Sequence, residues 1–356
     1  MGSSTAHGCA SILHHVSGAW RRWLFPVLLA PLVFAGCSRE DSGREAALVI
    51  RYQGTPNAVS FPELAEDLGY LGDLKLDYRG GVFGGPENLQ ALVTGDVDIA
   101  SAFNGAIVKL EAAGKDLVSL VASYGSDRET GMHVYVLDSS PIREARDLIG
   151  KKIAVNTVGA HSEFLIKEYL ARGDLSRKEI DSVELVVLPP ISTEAAIRAG
   201  QVEGGNLSGI MRDLAVERGG LRSLFIDVDL FGDFTAGYYV TTRELLERKP
   251  EAFRLFVEGS ARAIEWARAT PREEVVKRMT AIIEKRARNE TTAAVQHYRS
   301  TGIAVTGGIV EAKAYQMWVD WLVRNGELAP GQVDVSRMVD NRYNPYHGGN
   351  AVPQAQ

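Results

Sequence analysis

Apolar runs and helix-spaced apolar positions alternate along the chain. Ala46-Ala47-Leu48-Val49-Ile50-Arg51-Tyr52 reads as a buried strand that ends in Gly54-Thr55-Pro56-Asn57. Phe61 to Tyr70 follows as a helix with Leu64, Ala65 and Leu68 on one face, stopped at Gly69 and Gly72. Leu74 to Tyr78 alternates as a second strand. Gly80 to Gly85 is a loop, and Pro86 suits the first turn of the next helix. Val97-Asp98-Ile99-Ala100 predicts a third strand, Asn104 to Ala113 a helix ending at Gly114, and Leu117 to Tyr124 a fourth strand. Short connections between alternating strands and helices predict an α/β fold with mostly parallel, doubly wound sheets flanked by helices.

A second unit begins near Met132. His133 to Leu137 and Lys152 to Asn156 read as strands, and Ser162 to Ala171 as a helix closed by Gly173. Val183 to Leu188 and Gly204 to Leu207 complete this unit, with a helix over Glu194–Ala199 between them. The chain returns through Tyr238-Tyr239-Val240 to a long helical stretch in which Phe253, Phe256, Val257, Ala261 and Ile264 recur at core spacing. A chain of 356 residues exceeds the ~250–300 at which one core stops growing. The expected organisation is therefore one lobe from 46–131 and 232–342, a second lobe from 132–231, and an irregular tail over 343–356.

The first residues read as an export signal. Arg21-Arg22 supplies a positive segment, and Trp23 to Phe34 is an apolar run too short to span a bilayer and broken by Pro26 and Pro31. Leu32-Val33-Phe34-Ala35-Gly36-Cys37 resembles a bacterial lipobox, with Phe34 where that motif usually has Leu. Arg21-Arg22-Trp23-Leu24-Phe25 also resembles a twin-arginine signal. The expectation is a signal peptide of lipoprotein type over 1–36, lipidation at Cys37, a solvated tether over 37–45, and a periplasmic or cell-surface location.

Charge and residue counts narrow the chemistry. The net charge of −6 becomes −8 once Arg21 and Arg22 leave with the leader, so no basic footprint for nucleic acid exists. The only cysteines are Cys9 and Cys37, which provide no disulfide framework, zinc ribbon or thiol pair. His133, His161, His297 and His347 lack the short spacings that put two metal ligands on one face. No G-x-S-x-G elbow or phosphate-binding G-x-x-x-x-G-K-[ST] loop occurs. The reading contains no catalytic set, no metal and no cofactor.

Three segments carry a family resemblance. Gly85-Pro86-Glu87-Asn88-Leu89-Gln90-Ala91-Leu92 with Gly95-Asp96-Val97-Asp98-Ile99-Ala100 resembles the first-lobe signature of the sulfonate/nitrate/taurine-type periplasmic substrate-binding proteins of ABC importers. Asp147 to Asn156 followed by Gly159-Ala160-His161-Ser162 is similar to its second-lobe signature, and Pro189-Pro190 with Ala195 to Val202 to the next. Their order agrees over roughly residues 46–325. The resemblance implies a two-lobed periplasmic-binding-protein fold of type II, with a ligand cleft between the lobes. It also implies a monomer serving an ABC permease and its ATPase. Two departures stand out: Glu203-Gly204-Gly205 replaces an Asp-Ala pair, and Ser101-Ala102-Phe103-Asn104 replaces a bulky or acidic group, at positions that line the cleft in the family.

In such a fold the ligand sits where strand C-termini meet helix N-termini, whose unpaired N–H groups suit an anion. Gly159, Ala160, His161 and Ser162 form one such turn. Gln53, Thr55 and Asn57 follow the first strand, Phe103 and Asn104 the third, and Asn206 and Ser208 a second-lobe strand. Tyr238 is taken from the return crossing, where alternation points one of Tyr238 and Tyr239 inward. Arg128, near the first crossing, could also pair with an anion. The expected ligand is a small anion of the aliphatic sulfonate, taurine or nitrate class. A neutral pyrimidine-like ligand, a sensor subunit and an enzyme on the same fold stay open as alternatives.

Overall fold

The structure, a computed structural model, describes residues 48–348. The leader, Cys37 and the tether lie outside the described residues, as does the end of the tail.

The first strands and helices are β1 (Val49–Gly54), α1 (Phe61–Asp67), β2 (Lys75–Gly81), α2 (Gly85–Thr94), β3 (Ala100–Phe103), α3 (Asn104–Ala112) and β4 (Leu117–Ser126). The chain then enters β5 (His133–Leu137), β6 (Lys152–Val155), α4 (His161–Arg172), α5 (Arg177–Asp181), β7 (Glu184–Val187), α6 (Pro190–Arg198), β8 (Gly204–Leu207), α7 (Gly209–Arg218) and β9 (Leu221–Ile226). It returns through α8 (Asp227–Phe231) to β10 (Phe234–Thr242) and closes with α9 (Arg243–Arg248), α10 (Pro250–Ala269), α11 (Arg272–Lys285) and α12 (Ala312–Arg324).

These strands build two lobes. The second holds a five-stranded sheet in the order β7-β6-β8-β5-β9. The first holds a parallel β1-β2 pair and a β3-β10-β4 sheet. In the first lobe β10 runs antiparallel to both its neighbours, because it re-enters that lobe from the far end after the second lobe is complete. In the second lobe β6 is parallel to β7 and β8, while β5 is antiparallel to β8 and β9. β4 and β10 are buried along nearly their whole length, the mark of strands covered on both faces.

The third strand starts at Ala100 rather than Val97, just after Asp98. Its carboxylate is fully buried and accepts from Arg51 N (2.9 Å), Arg51 Nη2 (2.7 Å) and Lys249 Nζ (2.8 Å). It therefore ties β1 to the start of α10, and the Asp98 N–H also donates to Arg51 O at 2.8 Å. The part of the tail that is described is irregular but anchored, with Asn344 Nδ2 donating to Gly307 O at 2.8 Å.

An aromatic cluster joins the lobes. Phe164 of α4 leaves the second-lobe core and packs edge-on to Phe103 (5.1 Å between centroids) and against Trp321 (4.5 Å) of α12. Gly105 makes room for it: a Cβ there would stand 2.7 Å from Phe164 and 2.8 Å from Phe103. This packing sets the N-terminus of α4 opposite the C-terminal end of β3.

Candidate functional site

Between the lobes lies a cavity of about 490 Å³, within the range of small-molecule pockets. Of the helices that begin on its wall, four start without a side-chain cap. Their N-cap residues, Gly84 of α2, Phe103 of α3, Ala160 of α4 and Ser208 of α7, all line the cavity, and none caps its helix with a side chain. The first N–H groups of an α-helix have no partner within the helix and carry partial positive charge. α1 differs, since Ser60 and Glu63 close a capping box on it. Two of the four uncapped starts come from each lobe.

Side chains between these helix starts turn donors toward the cavity. Gln53 Oε1 accepts from Asn88 Nδ2 (2.9 Å), and Asn88 Oδ1 accepts from Ser101 N (2.6 Å), which leaves the Gln53 amide NH2 as the uncommitted end. Across the cleft, Asn156 Oδ1 accepts from Ser162 Oγ at 2.9 Å, so Asn156 likewise keeps its NH2. Ser123 Oγ lines the cavity, is buried and has no protein partner. Among the described residues no Lys, Arg, Asp or Glu lines the wall. Burial pushes the hydroxyls of Tyr124 and Tyr239 far above the ordinary tyrosine range, so both stay neutral.

His161 is the lining imidazole. It is 6% exposed, lies flat on Phe103, and places Nε2 3.2 Å from Asp227 Oδ2 without the alignment of a hydrogen bond. Asp227 accepts from Ser126 Oγ (2.7 Å) and Met132 N (3.2 Å), one residue on either side of the first crossing. Burial pushes this carboxyl up, but the His161 imidazole, the Ser126 hydroxyl and the Met132 N–H together hold it below its ordinary value.

The structure brings six of the sequence-derived candidates to the cavity: Gln53, Thr55, Phe103, Ala160, His161 and Ser208. It places the others behind or beside it. Gly159 donates its N–H to Glu163 Oε2 at 2.6 Å, and Ser162 supports Asn156 from a buried position. Asn104 is buried and donates to Thr235 O at 2.8 Å. Asn57 faces the opposite way: its N–H donates to Glu290 Oε1 and its Oδ1 accepts from Thr291 N, both at 2.7 Å. Asn206 pairs with Val134 within the sheet and does not line the wall. Tyr239 lines the cavity; Tyr238 is fully buried on the opposite face of β10, its hydroxyl accepting from Glu311 N. Arg128 pairs with Asp229 at 2.9 Å on the surface.

Glu203-Gly204-Gly205 also lies outside the wall. Glu203 accepts from Lys152 N at 2.8 Å, and a Cβ at Gly205 would stand 2.6 Å from Thr193 Cγ2. Gly205 serves sheet-to-helix packing, while a Cβ at Gly204 would stand 2.8 Å from Tyr135 O of the neighbouring strand. Sequence reasoning missed Asn88, Ser101, Ser123, Tyr124, Met132 and Asn156. For Asn156 the signal was present, at the end of a strand just before the Gly159 turn. The rest depend on which face of a strand or helix points inward.

Comparison with known proteins agrees with this architecture. The crystal structure of the periplasmic aliphatic sulphonate binding protein SsuA from Escherichia coli superposes with a TM-score of 0.62 at 22% identity, covering 82% of this chain and 92% of that one. The periplasmic nitrate-binding protein NrtA from Synechocystis PCC 6803 gives a TM-score of 0.62 at 15% identity, covering 83% and 86%. The fold is thus the two-lobed fold of periplasmic binding proteins. In sequence, a curated Escherichia coli protein named "Putative aliphatic sulfonates-binding protein" is 27% identical over 164 residues, 46% of this chain and 49% of its own length. The chain therefore spans about half the length of the curated relative it matches. Residues 64–274 match the family model described as NMT1/THI5 like. That stretch is more than half of the 356-residue chain, and the chain belongs to the NMT1/THI5-like family.

Proposed function

We propose that this protein is an exported solute-binding lipoprotein that holds a small anionic solute between its lobes and delivers it to the permease and ATPase of an ABC importer. The observation that carries this reading is the convergence of four uncapped helix N-termini on one cavity whose side chains offer donors. An anion set there meets N–H groups from both lobes and holds them together. Gln53, Thr55, Phe103, Ala160, His161 and Ser208 form the proposed ligand shell, joined by Asn156, Ser123 and Tyr239. The lobes are assigned to 46–131 with 232–342 and to 132–231, and Cys37 to the lipid anchor. The names of the relatives, sulfonate- and nitrate-binding, support an anionic ligand.

Binding without turnover is part of the proposal. Among the described residues the His161–Asp227 pair has no thiol beside it. Native mass spectrometry of protein purified without refolding tests the reading. The expected result is one retained small anion, recovered chemically unchanged after long incubation. Multiple-turnover product formation would replace this reading with an enzymatic one.

A further inference from the structure

Both second-lobe helices that open on the cavity are gripped by the first lobe about one turn beyond their start. On α4 the grip is apolar: Phe164, one turn after Ala160, is 1% exposed and packs on Phe103, Trp318 and Trp321. On α7 it is ionic. Asp213, little more than one turn after Ser208, accepts from His297 Nδ1 at 2.9 Å and from Arg299 Nη2 at 3.0 Å. Both donors come from the first-lobe segment that follows α11. Arg212 Nε donates to the same carboxylate at 3.0 Å, and its Nη1 donates to Glu129 O of the first crossing at 3.0 Å. Arg299 Nη1 also stands 3.6 Å from Glu129 Oε2.

The two grips differ in what their separation would cost. Withdrawing Phe164 would expose an aromatic ring and leave an empty space beside Gly105. The Asp213 cluster instead lines a second cavity of about 760 Å³, through which water reaches it. His297 and Arg299 are partly exposed, and water can replace their bonds as the lobes part. Arg212 lies on the same helix as Asp213 and keeps that carboxylate paired throughout. The ionic contact is therefore the one built to break.

We infer that Asp213 is a positioning residue whose ion pairs with His297 and Arg299 latch α7 to the first lobe. The lobes part at this latch while Phe164 stays seated. Asp213 does not line the solute cavity; it acts through α7, whose Ser208 end does. Any interaction made only in the closed arrangement raises affinity by the amount it favours closure. That consequence rests on the proposed solute-binding reading, whereas the latch itself does not.

Small-angle scattering and tryptophan emission of the unliganded protein test the latch, using Asp213→Asn, Arg299→Gln and the double variant. Each variant should have a larger radius of gyration than wild type, and the double variant no larger a one than Asp213→Asn. Emission should not shift, because Trp318 and Trp321 stay packed on Phe164. Arg248→Gln, which cuts an ion pair within α9, should scatter as wild type does. In stopped-flow binding of octanesulfonate, an aliphatic sulfonate, Asp213→Asn should dissociate about threefold to tenfold faster at an unchanged association rate. That is the range for losing two partly exposed ion pairs. Variants that scatter or dissociate as wild type does, or a red-shifted emission, overturn the inference and leave the solute-binding reading standing. Expanded variants beside a wild type that binds no octanesulfonate support the latch and contradict an aliphatic sulfonate ligand.

Discussion

His161 Nε2 stands 3.2 Å from Asp227 Oδ2, and the same imidazole lies parallel to Phe103, with centroids 5.0 Å apart and planes 5° apart. One side chain at the start of α4 thus touches the segment that leads back to the first lobe and the end of β3 inside it. Asp227 adds Ser126 and Met132, so a single carboxylate braces both crossings between the lobes.

This brace predicts a pH signature. The folded-state pKa of Asp227 is held below its unfolded value, so its contribution is fully present above the ordinary carboxylate range, near pH 4. It is lost as pH falls through the depressed folded value. Asp227→Asn should cost about 1.5–3 kcal/mol at neutral pH, because it removes the buried charge that the Ser126 hydroxyl and the Met132 N–H bind. The difference in melting temperature between the two proteins should shrink as pH drops from 5 toward 2. A difference that stays constant over that range would remove Asp227 from the acid response.

Asn57 is expected to act as a loop anchor, not a ligand contact. It sits at φ 62°, which asparagine tolerates and alanine does not, and its amide group accepts from Thr291 N. Asn57→Gly should lose about 1 kcal/mol, for the missing hydrogen bond. Asn57→Ala should lose roughly 2 kcal/mol, since strain is added. Both should bind ligand within a few-fold of wild type. A hundredfold loss in a folded Asn57→Gly protein would place this side chain on the ligand.

Much of this site was legible from the positions of turns. A strand that ends just before a helix announces a helix N-terminus, and Phe103, Ala160 and Ser208 were readable on that ground. Tyr238 and Tyr239 show where legibility stopped. Alternation says that they face opposite ways, but only the position of β10 between β3 and β4 decides that Tyr239 meets the cavity. Asn57 misled because a turn asparagine just after a strand looks the same whether its partner is a ligand or, as here, residues 290 and 291. Asp98 carried no local sign that its carboxylate would be buried between Arg51 and Lys249.

Gly205 supplies a packing test. A Cβ there would stand 2.6 Å from Thr193 Cγ2 and 2.9 Å from Ala154 Cβ. Gly205→Ala should cost about 1–3 kcal/mol by overpacking the contact between β8 and α6. Adding Thr193→Ser, which removes the offending methyl, should restore about half of the loss in chemical denaturation. No recovery in the double variant would assign the cost to the strand backbone instead.

The proposed lipid anchor is tested at Cys37. In cells, Cys37→Ala should shift the protein from the membrane fraction to the soluble fraction, or leave its leader uncut. A processed Cys37→Ala protein that stays with the membrane would contradict lipidation.

The central claim, an anion held by open helix N-termini, is tested most directly by calorimetry on Ala160→Asp. Ala160 is the uncapped N-cap of α4 and lines the cavity. Aspartate is favoured at an N-cap and complements the helix dipole, so the unliganded variant should melt no lower than wild type. Its carboxylate would compete for the same N–H groups and stand within a few Å of the bound anion. Like charges at ~4 Å repel by ~1 kcal/mol in water and ~4 kcal/mol at an effective dielectric of ~20. Octanesulfonate should therefore bind roughly ten to a thousand times more weakly. Full affinity in a folded Ala160→Asp protein would contradict the account, because no anion could then rest on this helix.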